Sequence, residues 1–93
     1  MDKELIKQAI DKFGVAKQID MVVEECSELI HAICKYRRNP EEGTYYDVCQ
    51  EIADVEIMLE QLHFIMGQPS DKLIEEIKQS KLNRLKKYLH ETI

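Results

Sequence analysis

Glycine and proline are scarce in this chain, which has three Gly and two Pro among its 93 residues. These few residues fall between long segments in which apolar side chains recur with a helical period. An all-β fold needs frequent turns, and the sequence has too few turn-forming residues to supply them. The scarcity therefore excludes a strand-rich protein and predicts helices joined by short breaks.

Long apolar runs are missing as well. No segment approaches the roughly 20 apolar residues that a membrane-spanning helix needs. Residues 1–4 lack the basic-then-apolar layout of a signal peptide. The cysteines, Cys26, Cys34 and Cys49, cannot all pair within one chain and show no C-x-x-C metal-ligand spacing. We therefore expect a cytoplasmic protein with reduced thiols and no membrane association.

Positive charge is in deficit, since 18 acidic side chains stand against 13 basic ones for a formal net charge of -5. Proteins that bind nucleic acid generally carry a surplus of Lys and Arg, so this balance argues against such a partner. A small anionic substrate stays compatible with the charge if a metal ion offsets the carboxylates. A chain this short buries a modest share of its surface, so residues 1–93 are expected to form one domain that a partner subunit stabilises.

The apolar periodicity predicts four helices. The first covers residues 3–13 and the second about 15–38. The third follows Thr44 as its N-cap and ends before Gly67, and the fourth follows Ser70 as its N-cap. The predicted fold class is all-α, an antiparallel helical bundle of about four helices completed by oligomerisation.

Two acidic pairs occupy equivalent positions on the second and third helices. Glu25 and Glu28 are three residues apart on one flank, and Glu51 and Asp54 repeat the pattern 26 residues later. The break at residues 39–43 is short, so the two helices should form an antiparallel hairpin with both pairs at similar heights. Four carboxylates are therefore expected to converge at the edge of the core.

Carboxylates this close repel each other unless a cation lies between them. Oxygen ligands suit Mg²⁺, which binds through a few carboxylates and through substrate phosphates. The alternative is that each pair is an ordinary charged edge of an exposed helix, which would suffice for either pair alone. Glu24 lies further towards solvent, where it either is a solvated charge or holds water or a second metal ion.

Basic residues supply a second indication of an anionic ligand. Lys81 falls in the middle of the apolar stripe of the fourth helix, with Arg84 on the adjoining flank. A core-facing lysine costs free energy unless it reaches solvent or meets an anion, so both readings stay open. Lys35 and Arg38 end the second helix, where complementing the helix dipole is an alternative to substrate contact.

In the order and spacing of these motifs, the chain resembles a known family, the MazG-like all-α nucleoside triphosphate pyrophosphohydrolases. The signature of that family is E-E-x-x-E followed by E-x-x-D. The matching positions are Gln18, residues 24–30 (Glu-Glu-Cys-Ser-Glu-Leu-Ile), Lys35, Arg38, residues 51–55 (Glu-Ile-Ala-Asp-Val) and residues 81–86 (Lys-Leu-Asn-Arg-Leu-Lys). The last of these looks like the ending of compact phage and bacterial members. The resemblance covers residues 15 to 88.

The resemblance implies hydrolysis between the α- and β-phosphates of an NTP or dNTP to give a monophosphate and pyrophosphate, in cleaning of the nucleotide pool. It implies Mg²⁺ as cofactor, with Mn²⁺ as a substitute, and a homodimer or homotetramer. Under it, Glu25, Glu28, Glu51 and Asp54 hold the metal, Glu25 or Glu24 accepts a proton, and Lys81, Arg84 and Lys35 bind the substrate.

Two rival functions also fit parts of the sequence. Glu28-x-x-His31 and Glu60-x-x-His63 are E-x-x-H pairs of the di-iron carboxylate type. The two pairs lie at different distances from the hairpin loop, so they are separated by roughly 12 Å along the helix axis. Both histidines are also expected on faces away from the acidic cluster. The other rival is a non-catalytic helical oligomerisation module whose charges only keep it soluble.

Overall fold

The structure, a computed structural model, describes residues 2–91, and this part of the chain contains four helices and no strand. They are α1 (Lys3–Phe13), α2 (Val15–Arg38), α3 (Glu42–Met66) and α4 (Gln68–Glu91). The all-α prediction is therefore confirmed. None of the helices in residues 2–91 combines the length and apolar character needed to cross a membrane.

Gly14 and Gly67 end α1 and α3, as their positions in the sequence predict. Their φ angles are 91° and 89°, a region that L side chains rarely adopt. The backbone N–H of Gly14 donates to the carbonyl of Ile10, and that of Gly67 donates to the carbonyl of His63. Each glycine therefore satisfies a helix-end carbonyl while it turns the chain towards the next helix.

The predicted N-caps of the third and fourth helices are each wrong by three residues. The N-cap of α3 is Glu41, whose side chain accepts the backbone N–H of Thr44, while the backbone N–H of Glu41 donates to Thr44 Oγ1 at 3.1 Å. This reciprocal capping box starts α3 before Thr44, because the side chain of Glu41 also has an oxygen that can accept a backbone N–H. Similarly, α4 begins at Gln68, and Ser70 donates its hydroxyl to the carbonyl of Gly67 at 2.7 Å.

Thr44 is expected to stabilise the closed end of the hairpin. Its buried hydroxyl also donates to the carbonyl of Asn39 at 2.8 Å. Thr44→Ala removes these bonds and should lower the free energy of unfolding by about 1–2 kcal/mol. Urea denaturation would measure it, with Ser80→Ala on the exposed surface of α4 as the matched control. Equal unfolding midpoints for the two variants would contradict this role.

The core lies between the α2–α3 hairpin and α1. Within the described residues, α1 packs against both hairpin helices, whereas α4 packs against α3 alone. The buried apolar residues are Ile6, Ile10, Val22, Ala32, Val55 and Met58. Between the hairpin helices, the buried amide of Gln18 donates to Gln61 Oε1 at 2.6 Å. This polar contact fixes the height of one helix against the other, because a slip would leave the buried Gln18 Nε2 and Gln61 Oε1 without each other as partners.

The predicted apolar stripes are only partly buried. Ile30 of α2 and Ile52 and Met66 of α3 belong to those stripes, yet they are 64%, 42% and 62% exposed. Lys81 is exposed rather than core-facing, because α4 packs only against α3 among the described residues and none of the residues of α4 is fully buried. One apolar flank of each hairpin helix packs between α2 and α3, and a second apolar flank stays exposed.

The described chain is open in shape. Its radius of gyration is 16.7 Å and its principal extents are 52 × 38 × 21 Å. A compact domain of this length has a radius of gyration of about 12 Å. The difference reflects α4, which lies against α3 and reaches neither α1 nor α2 within the described residues.

Candidate metal centre

Three of the four predicted metal ligands come together in the structure. Glu25 and Glu28 from α2 and Glu51 from α3 each offer one carboxylate oxygen, and these oxygens lie within 4.8 Å of one another. Because side chains three apart share a helix face, α2 presents its two carboxylates side by side towards α3. The hairpin therefore gathers oxygen donors from two helices that are distant along the chain.

Asp54, the fourth predicted ligand, lies beside this group. It is half-buried, and its charge raises the pKa of both Glu25 and Glu51. Glu24 is exposed, and its charge contributes to the raised pKa of Glu25. Glu24 is therefore adjacent to the three-oxygen group without being part of it.

Two carboxylate oxygens in the cluster are buried without a partner. Glu25 Oε2 and Glu51 Oε2 have no hydrogen-bond donor among the described residues. Burial is the main cause of the raised pKa of each carboxyl group, and neighbouring carboxylates, Glu28 foremost, add to it. Buried polar atoms are almost always hydrogen-bonded, so these two oxygens on facing helices are available to a water or to a bound cation.

The height of α2 relative to α3 determines where the carboxylates of the cluster lie. The Gln18–Gln61 bond joins the helices towards their open end, and the Thr44 hydrogen bonds hold their closed end. Glu25, Glu28 and Glu51 lie between these two points along the chain. A shift of one residue would turn the carboxylates of one helix by about 100° away from the other helix. The buried amides and the cap therefore position the acidic group.

The raised pKa values predict how stability depends on pH when metal is absent. The ordinary pKa of a glutamate side chain is 4.5. As the pH rises above that value, the unfolded chain loses the protons of Glu25 and Glu51, whereas the folded protein, in which their pKa is raised, still keeps them. The free energy of unfolding should therefore fall as the pH rises through that interval. We expect a lower melting temperature at pH 7 than at pH 5, and a larger gain from Mg²⁺ at pH 7 because the metal binds the ionised carboxylates.

Thermal melts followed by circular dichroism, with and without Mg²⁺, would measure this effect. Glu51→Gln should shrink the difference between the two pH values, because it removes one of the raised groups. A metal-free protein that becomes steadily more stable between pH 5 and pH 7 would contradict the expectation.

A groove of about 430 Å³ opens beside the cluster. It is lined by Ser27, Glu28, His31, Ala32, Lys35, Asp47 and Glu51. The prediction that His31 lies away from the acidic residues is wrong, because positions 28, 31 and 35 share one face of α2. Asp47 was missed, although it lies one turn before Glu51 and its charge raises the pKa of that residue.

The predicted substrate-binding residues divide into two groups. Lys35 lines the groove beside the cluster. Lys81 and Arg84 line a separate surface depression on α4 with Leu85 and Tyr88. Because α4 does not reach α2 within the described residues, these two cations do not share a groove with the acidic cluster of their own chain.

The two E-x-x-H pairs also lie apart. His31 and Glu28 line the groove at the cluster, whereas His63 and Glu60 line a pocket of about 280 Å³ between α1, α3 and α4. In that pocket His63 Nδ1 lies 2.8 Å from Asp71 Oδ1, which ties the end of α3 to the start of α4. His63 therefore has a structural contact of its own.

No protein-family model, no curated protein and no solved structure matches this chain. What supports a function is accordingly the chemistry of the cluster and of the groove beside it.

Proposed function

We propose that this protein is a Mg²⁺-dependent nucleoside triphosphate pyrophosphohydrolase, as its resemblance to the MazG-like family implies. The observation that carries the proposal is the pair of buried, unpartnered carboxylate oxygens, Glu25 Oε2 and Glu51 Oε2, within a group of three carboxylates from two helices. A divalent cation would satisfy both orphaned atoms and remove the mutual repulsion of the cluster.

The donor set fits a hard cation. Glu25, Glu28, Glu51 and Asp54 would hold Mg²⁺, and Mn²⁺ is the expected substitute because it accepts the same oxygen ligands. A bound metal of this kind neutralises phosphate charge and lowers the pKa of a coordinated water. The groove beside the cluster would leave an open side from which substrate oxygens could reach an ion held there.

The surrounding residues have separate roles in the proposed reaction. With Glu25 engaged as a ligand, the exposed Glu24 beside it is the carboxylate left to accept a proton from the attacking water. Lys35 in the groove binds a phosphate oxygen. The water oxygen bonds to one phosphorus of the α,β-anhydride and the bridging oxygen leaves with the other, so the products are a monophosphate and pyrophosphate.

The uncovered apolar surface supports association of two or more copies. Tyr45, Ile52, Leu59 and Met66 recur every seven residues along α3 and are each 40–65% exposed. A spacing of seven is the pattern by which one helix packs against another over several turns. A homodimer, or a homotetramer built from such dimers, would bury this row between hairpins.

Charge distribution indicates how a second copy would lie. Residues 78–91 carry five basic side chains and one acidic one, whereas the rest of the chain carries eight basic and 17 acidic side chains. The basic end of α4 is therefore complementary to the acidic hairpin of another copy. We infer that Lys81 and Arg84 bind substrate phosphates at the partner's cluster, because they do not reach their own.

Product analysis tests the reaction. Purified protein and Mg²⁺ would be incubated with a panel of canonical and modified NTPs and dNTPs, and monophosphate and pyrophosphate would be quantified. We expect the two products in equal amounts, loss of activity with a chelator and recovery with Mn²⁺. Release of inorganic phosphate, or no hydrolysis of any substrate, would refute the proposal. A preference for modified nucleotides would support a role in cleaning the nucleotide pool.

The uncovered apolar surface also favours a second candidate function, a non-catalytic helical oligomerisation module. That function makes no use of the orphaned carboxylate oxygens, which a protein selected only for association has no reason to bury. It predicts that replacement of Glu28 leaves both metal affinity and association unchanged.

A further inference from the structure

The groove at the acidic cluster continues into a second one at the hairpin loop. This loop groove has a volume of about 850 Å³ and is lined by residues of the loop and the first turns of α3. Lys35 and Asp47 line both grooves. The two therefore form one channel, with carboxylates at one end and the loop at the other.

The loop end presents an aromatic ring. Tyr45 and Tyr46 both line it, and the ring of Tyr45 contacts Tyr36 edge-on with centroids 6.1 Å apart. Tyr46 has no aromatic partner among the described residues, and it is 65% exposed. An exposed ring at the side of a groove offers a face on which a planar heterocycle can stack.

Hydrogen-bonding groups accompany the ring. The side-chain amide of Asn39 makes no hydrogen bond within the described residues, and the carboxylate of Glu42 lines the same end of the groove. An ionised carboxylate only accepts hydrogen bonds. The carboxylate of Glu42 therefore offers this end of the channel an acceptor for a ligand N–H, whereas the amide of Asn39 can donate or accept.

The distance along α3 matches the size of a nucleotide. Tyr46 precedes Glu51 by five residues, which is roughly 8 Å along the helix axis and about 140° round it, and Asp47 lies between them in both grooves. A base and its α-phosphate are separated by a ribose, a span of the same order. Phosphates held at the cluster would therefore place the attached nucleoside beside Lys35 and Asp47 and its base at Tyr46.

Resting on the proposed function, we propose that the loop groove binds the nucleoside end of the substrate. The base stacks on Tyr46 and directs an exocyclic amino group to Glu42, while Lys35 holds the phosphates where the two grooves meet. The substrates would then be triphosphates of amino-bearing bases. Uracil and thymine derivatives would be disfavoured because they lack the exocyclic amino group that is directed to Glu42.

Tyr46→Leu and Tyr46→Phe test the stacking. For a non-hydrolysable α,β-methylene triphosphate bound with Mg²⁺, calorimetry should show about a tenfold weaker affinity for the Leu variant and near-normal affinity for the Phe variant. Inorganic triphosphate has no base, so its affinity should be unchanged by both. Phe64→Leu, which alters a half-exposed ring of α3 outside both grooves, is the matched control.

The analogue data separate this proposal from the proposed function. Binding that depends on Tyr46 without hydrolysis of the natural nucleotide would support the groove and refute the pyrophosphohydrolase. Hydrolysis that is indifferent to Tyr46 would overturn the groove and leave the activity standing. Equal losses for the nucleotide and inorganic triphosphate, or no binding of the analogue, would also overturn it.

Cytidine and uridine triphosphates test the amino group, because they differ at one edge of the base. We expect the wild-type protein to bind the cytidine analogue about tenfold more tightly, and Glu42→Gln to remove most of that preference because an amide can also donate. Equal affinities in the wild-type protein, or a preference that survives Glu42→Gln, would overturn the assignment of Glu42.

Discussion

Glu28→Gln is expected to lower nucleotide hydrolysis by about a hundredfold or more, because it removes a metal ligand while it keeps the shape of the side chain. The same variant should be more stable than the wild-type protein when metal is absent. Glu28 is the largest neighbouring-charge contribution to the raised pKa of both Glu25 and Glu51. Removing its charge relieves that repulsion, so loss of activity would coincide with a higher melting temperature in chelator.

The opposite signs make this test specific. A substitution that damages the fold lowers activity and stability together, whereas a ligand substitution separates them. Glu56→Gln on the exposed surface of α3 removes the same charge outside the cluster and should change neither property. Rates would be measured as pyrophosphate release, Mg²⁺ affinity by calorimetry and stability by thermal melts. Unaltered hydrolysis in Glu28→Gln would refute the role of Glu28 as a metal ligand, and unaltered metal affinity in a protein that hydrolyses no nucleotide would favour the oligomerisation module.

The helices and the acidic cluster could be predicted from sequence because both depend on short-range periodicity. Gly14 and Gly67 end helices through their own backbone freedom, whatever surrounds them. Glu25 and Glu28 are placed together by the helical repeat, and the equivalent spacing of Glu51 puts it on the facing helix. A short loop leaves antiparallel packing as the only simple arrangement of the two helices.

The helix starts and the buried faces could not be predicted in the same way. Glu41 and Thr44 both carry a capping oxygen, and only the fold decides which of them precedes the helix. Helix α3 has more than one apolar flank, so the sequence does not reveal that Val55 faces the hairpin core while Ile52 stays exposed. Lys81 falls on the apolar stripe of α4, and a single sequence cannot show that the part of this helix around Lys81 is exposed within the described chain.

If two copies of the chain form each site together, mixing two inactive variants should restore activity. Glu28→Gln lacks a metal ligand, and the double variant Lys81→Ala/Arg84→Ala lacks the proposed phosphate-binding cations. If α4 serves the cluster of its partner, a mixed dimer contains one site with both defects and one with neither. Equal amounts exchanged by co-expression or refolding should then recover about a quarter of the wild-type rate, since half of the dimers are mixed and each has one intact site.

The pair Glu28→Gln and Glu51→Gln is the control for this mixing. Both changes affect the cluster within a single chain, so every site of a mixed dimer keeps one defect and no activity should return. Native mass spectrometry would verify that mixed dimers form in both experiments. Mixed dimers of the first pair that stay inactive would show that Lys81 and Arg84 do not serve the partner's cluster. Rescue that occurs in both pairs would show that chains of different copies share the carboxylates themselves. The predicted combination, recovery in the first pair alone, is expected because α4 packs against α3 and does not reach α2 of its own chain within residues 2–91.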